Sequence, residues 1–335
     1  MAYTFDFSAE ERLARSQYPA ETKDAGMFLV PDQAEAYRAW FHDNACSWET
    51  IASILSSFVD NPADPLRIKI QKLRGIAELS GSITQTEQTI DAIAEGHMRQ
   101  SAFVPAYDDG LKHPVVIVNN AEGRMLADRE KDLFFAFWHE VGHLVIFGAD
   151  KPAKRVFEDG PAKWQERSEQ QLEETAADLF ALLHGLSRGI LNAEDARHIS
   201  DTRLCNLFCG DYGHFTSAAC DRVVRDAPAK AALAPGEIKV TALAYARTFQ
   251  QAAPKLEQLR EILDGFKASH RGIVARISPP EGRPSEVLLS SPEARGALTE
   301  FFSLAAQRYE ADDSRAVLAR RFVMAAELGN GSQPA

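Results

Sequence analysis

The chain has 335 residues, 45% of them hydrophobic and 25% charged, which is the composition of an ordinary globular protein long enough to bury a sizeable core. No stretch approaches the roughly eighteen uninterrupted apolar residues of a membrane span, so none is expected. The net charge is −11, and residues 226–335 are balanced at 14 basic and 13 acidic side chains. The acid excess therefore lies in residues 1–225, which argues against a nucleic-acid partner held through its phosphates.

Residues 1–18 carry Asp6, Glu10, Glu11, Arg12 and Arg15 and no apolar leader, so a cytoplasmic protein is expected. Residues 31–60 and 84–95 read as helical, the second opening on a Thr84/Glu87 capping box, and residues 1–95 form a helical N-terminal section. Residues 114–119, a β-branched run between Pro114 and Asn119-Asn120, predict a strand whose edge could bind an extended peptide.

A helix is predicted from Arg129 to Phe147, with Asp128 as N-cap and Gly148 as stop. It has almost no polar face, so it must be buried on most sides. A looser stretch, 149–163, leads to a second helix from Glu166 to Leu186 with Leu172, Ala176, Leu179 and Leu183 on its apolar stripe. From Asp195 to Asp226 the pattern predicts irregular chain with short helices.

Residues 96–226 are read as the catalytic core. A mainly helical section follows at 227–328, with helices at 237–265 and 292–328, a strand at 272–277 and a Pro-rich loop at 278–284; residues 329–335 are expected to be disordered. No internal repeat is present. Cys46, Cys205, Cys209 and Cys220 fit reduced thiols, since Cys205 and Cys209 lack the second close pair of a structural zinc site.

The chemistry concentrates in His139-Glu140-Val141-Gly142-His143. Helix positions four apart share a face, so both imidazoles can reach one ion, while Glu140 is turned by about 100° and can address a water on that ion. Zinc brings its bound water to a pKa of about 7, and a neighbouring carboxylate can take the proton as the water attacks a carbonyl. Two histidines and a glutamate in an apolar helix are costly to bury without such a use.

Catalytic zinc keeps three protein ligands and one open position. Glu174 and Asp178 stand four apart on the second helix: Glu174 can complete the coordination, and Asp178 can accept the second N–H of a liganding histidine. Glu173 is the competing ligand, about 100° away around the helix, and an exposed acidic face is the competing account of both carboxylates.

These two segments resemble a zincin metallopeptidase of the gluzincin type. The pattern of HEVGH followed by Glu174, Asp178 and Phe180 is similar to the zinc-site helices of thermolysin-like enzymes. That resemblance implies a zincin-like core, Glu174 as third ligand and Asp178 as support for a histidine. The glycine of HEVGH, with Glu174, Ala177, Phe180 and Ala181, also resembles the phage-immunity metallopeptidases called ImmA/IrrE, which implies an intracellular protein substrate. The chain reads Leu182-Leu183-His184-Gly185 where that family continues Leu-Leu-Met-Pro.

The thermolysin-like resemblance further implies a downstream histidine that stabilises the transition state. His214 fits, in Asp211-Tyr212-Gly213-His214, with Asp211 to orient the ring and Tyr212 as a second donor. His42, His97, His113, His184, His198 and His270 lack partner spacing and read as surface or structural residues. No Gly-x-Ser-x-Gly elbow or phosphate loop is present.

The expectation is a mainly helical α+β zinc metallopeptidase acting on a protein or peptide, without a nucleic-acid or membrane partner. The competing class is a regulatory or interaction protein whose zinc only joins two helices.

Overall fold

The computed structural model describes residues 3–44, 94–95, 98, 102–103, 111–120, 125–148, 161–208, 211–230 and 233–269. They form a mainly helical α+β protein. The chain divides into two units, the first made of residues 1–122, 128–163 and 233–240, the second of residues 123–127, 164–232 and 241–335. Among the described residues, no helix is long and apolar enough to cross a membrane.

In the first unit, helices α1 (Phe7–Gln17), α2 (Pro19–Thr22) and α3 (Ala34–Asn44) surround strand β1 (Gly26–Val30) in sequence; β2 (Ala102–Phe103) and β3 (Val115–Asn119) complete a sheet of order β1-β3-β2. β1 runs parallel to β3 from Gly26↔Val115 to Val30↔Asn119, and β2 is antiparallel to it at Ala102↔Val118 and Phe103↔Ile117. β3 is therefore central, which corrects the expectation of a free peptide-binding edge there. Its five residues are all buried, because a strand paired on both sides and covered on both faces needs a continuous β-branched run.

β1 was not anticipated, since Gly-Met-Phe-Leu-Val shows no alternation to separate it from a buried helical turn. On one face of the sheet Val115 and Ile117 join Val30, Tyr37 and Phe41 of α3 in a core cluster with Leu111.

The predicted central helix is α4 (Arg129–Phe147), packed on β3 and β2. Its bounds agree with the sequence reading because both ends are set locally. The Asp128 carboxylate accepts from the amides of Glu130 and Lys131, and Gly148, at φ 73°, donates its own N–H to Leu144 O. The N-terminal segment clasps α4. Tyr3 lies edge-on to Phe134, Phe7 edge-on to Phe137, and the buried Glu10 carboxylate accepts from Tyr3 Oη at 3.0 Å and Trp138 Nε1 at 2.9 Å.

The described residues of the second unit are mostly helical. α5 (Pro161–Ser187) begins five residues before the expected Glu166, with Pro161 at a first helical position that needs no N–H. It closes where Gly189, at φ 66°, lets the amides of Ile190 and Leu191 return to Gly185 O. The segment expected to be irregular instead forms α6 (Ala193–Phe208) and α7 (Ser217–Lys230), packed together. Asn192 caps α6 by accepting from the amides of Glu194 and Asp195, while Asp195 accepts from Asn192 N. The buried stripe of α6 (Ala196, Ile199, Ser200, Arg203) is half polar, so apolar periodicity alone does not reveal it.

The single helix expected over 237–265 is two, α8 (Pro235–Phe249) and α9 (Ala253–Ser269). Pro254 cannot continue a helix through Gln250. The break is held by α5: Ser168 Oγ donates to Gln251 O at 2.6 Å, and Gln251 N donates to Gln171 Oε1 at 2.7 Å. The expected elements at 45–60, 84–93, 272–277, 278–284 and 292–328, the tail at 329–335, Cys46, Cys209, and the loose stretch at 149–160 lie outside the described residues.

Candidate functional site

Two clusters of chemistry-bearing residues stand out, one in each unit. In the first, α4 sets His139 and His143 on one face, with Nε2 to Nε2 at 3.2 Å and ring centroids 4.8 Å apart at 83°. Glu140 Oε1 is 3.9 Å from His139 Nε2, and both side chains are buried. The ligand atoms of these three residues lie within 4.8 Å of one another.

Two Zn–N bonds of about 2.0–2.1 Å meeting at a tetrahedral angle subtend about 3.3 Å, so the nitrogen separation suits one shared ion. The opposite face of α4 carries Phe134, Phe137 and Trp138, all fully buried, so the helix is anchored from behind. Two imidazoles converging in this way are donors that suit zinc.

No family model, curated protein or solved structure matches the chain.

In the second unit His214 stands between two carboxylates. Its Nε2 is 3.0 Å from Glu174 Oε2 and its Nδ1 is 2.7 Å from Asp211 Oδ2. Burial pulls the imidazole pKa down, but the charge of Glu174 and the close approach of both carboxylates outweigh it and raise it to about 10. Burial pushes Asp211 up, and His214 more than offsets this, leaving its carboxyl below the ordinary value. The expected pairing of Asp211 with His214 is present.

Asp178, fully buried one turn after Glu174, accepts from Arg203 Nη2 at 2.7 Å, Arg203 Nε at 2.8 Å and Thr216 Oγ1 at 2.6 Å. Burial opposes the Arg203 charge, but Asp178 overrides that and raises the guanidinium pKa. The sequence reading paired Asp178 with a liganding histidine; the partners found for it are this guanidinium and this hydroxyl. Tyr212 is buried, its ring edge-on to Trp164 at 5.3 Å.

Arg203 and Thr216 were missed by sequence reasoning. The available signal was a charged residue on the same helical stripe as Ala196 and Ile199, but its meaning depends on a carboxylate 25 positions earlier. His184, read as structural, is buried with its ring 4.7 Å from that of Phe180. Cys220 is a buried free thiol, in keeping with the reduced-cysteine expectation.

Proposed function

We propose that the protein is a zinc metallopeptidase with a zincin-like core that hydrolyses a peptide bond in an intracellular protein. The observation that carries this reading is the convergence of the His139 and His143 ring nitrogens to 3.2 Å, with Glu140 beside them on a buried helix. His139 and His143 would hold the ion through Nε2. Glu174 is the proposed third ligand on the strength of its sequence pattern. A bound zinc ion supplies Lewis acidity and a water acidified to a pKa of about 7. Glu140 accepts the proton of the attacking water and delivers it to the leaving amine. His214, held at Nδ1 by Asp211, would offer to the negative charge that builds on the carbonyl oxygen the Nε2 proton that here faces Glu174, once Glu174 turns to the ion, with Tyr212 as the weaker donor.

The test is metal analysis of the purified protein, followed by cleavage of a peptide library. Glu140→Gln should keep stoichiometric zinc and lose cleavage by about two to four orders of magnitude, the range of general acid–base catalysis. His143→Ala should lose both. Zinc without Glu140-dependent cleavage would favour the non-catalytic reading, in which the ion joins helices.

A further inference from the structure

The turn that carries His214 is fastened to α5 residue by residue. Gln170, Gln171, Glu174 and Asp178 fall within about 100° of one another around that helix, so they share one face. Four consecutive turn residues meet that face. A Cβ on Gly213 would come within 2.5 Å of Gln170 Cδ, so the backbone there lies against the Gln170 side chain. His214 pairs with Glu174, Phe215 O accepts from Gln171 Nε2 at 2.7 Å, and Thr216 donates to Asp178.

The spacing of the two polar pairs matches. Glu174 and Asp178 are four residues, about 6 Å, apart along the helix. His214 and Thr216 are two residues apart in a tight turn, closed by Thr216 N donating to His214 O at 2.9 Å, so their Cα atoms lie closer than the about 6.6–7 Å of an extended chain and near the helix spacing. Sliding the turn by one residue would take the Thr216 hydroxyl off Asp178 and His214 off Glu174 together.

We propose that Thr216 and Arg203 are positioning residues: their joint grip on buried Asp178 sets the register of the 211–216 turn along α5 and so brings His214 to Glu174. Asp178 is the fixed point, because a fully buried carboxylate must keep its donors. Arg203 supplies a planar fork from α6, which holds the carboxylate in one orientation. Thr216 takes one of the same oxygens and also opens α7, its carbonyl accepting from Ala219 N and Cys220 N. The register is thereby tied at once to α5, α6 and α7. The consequence for catalysis rests on the roles proposed above for Glu174 and His214, but the geometric claim needs neither metal nor substrate.

The experiment is nuclear magnetic resonance of the full chain labelled with ¹⁵N-histidine, metal-free, at fixed neutral pH, with His214 assigned by the signals missing from His214→Asn. Wild type should show slowly exchanging, downfield His214 ring N–H resonances. Thr216→Ser, which keeps the hydroxyl, should retain them. Thr216→Val, nearly isosteric, should keep the helical circular dichroism and lose those resonances. Arg203→Lys, which keeps the charge but not the fork, should lose them in part.

Unchanged His214 signals in folded Thr216→Val protein overturn the proposal. An unfolded Thr216→Val protein overturns it too, since the hydroxyl would then be a requirement of the whole unit. Neither result bears on Glu140-dependent cleavage, and failure of that assay leaves this claim standing.

Discussion

α4 and α5 each carry charged residues into a buried setting, but by different means. The chemistry of α4 sits within five consecutive residues, and the 3.2 Å approach of its two histidines follows from helical periodicity alone. The carboxylates of α5 take their partners from far along the chain: Asp178 from positions 25 and 38 residues later, Glu174 from His214. A site made by one helix survives as long as the helix is held. A site made by three elements survives only while each of them keeps its register, so its residues should be more sensitive to the loss of one partner.

The largest effect is expected at that long-range pair. Arg203→Met leaves Asp178 buried without its fork and should cost about 3–5 kcal/mol, read as a lower urea midpoint at unchanged m-value. Arg222→Met, which removes the exposed Arg222–Asp226 pair of α7, should leave the midpoint where it is. Equal shifts in the two variants would erase the distinction drawn between buried, long-range partners and surface neighbours.

Next in size, His214→Ala should fold and retain zinc while kcat/KM falls about a hundredfold, the scale of losing one donor to a developing oxyanion. Metal titration of the same set sharpens the contrast, because Glu174→Gln should weaken zinc binding far more than Glu173→Gln. The reverse order would move the third ligand to Glu173.

The last effect, gradual rather than abrupt, concerns pH. Burial first, and the charge of Arg188 second, lower the His184 pKa from 6.5 to about 3. The unfolded chain therefore binds a proton that the folded chain refuses between those values. Stability from this group is fully present above about pH 6.5 and is lost as pH falls toward 3, by up to about 1.4 kcal/mol per pH unit. Urea midpoints measured from pH 7 to pH 4.5 should fall less steeply in His184→Leu than in wild type. Parallel slopes would show that His184 takes up its proton without opening α5.

α4 is legible from cap to cap in the amino-acid order, since Asp128, Gly148 and an apolar run of that length act within a few residues of one another. That order determined the spacing of His139, Glu140 and His143 for the same reason, and β3 from its β-branched residues. It also put Asp211 beside His214, three positions apart and joined at 2.7 Å.

The tertiary structure alone decided that β3 is central, because pairing with β1 depends on a segment about ninety residues earlier. It decided the length of α6, whose buried Ser200 and Arg203 are satisfied by Asp221 and Asp178 rather than by anything nearby in sequence. The break at Gln250–Ala252 was half local, through Pro254, and half imposed by Ser168 and Gln171 some eighty residues before. A polar residue on a helix reads as solvent-facing until its partner is known, and only the folded chain supplies the partner.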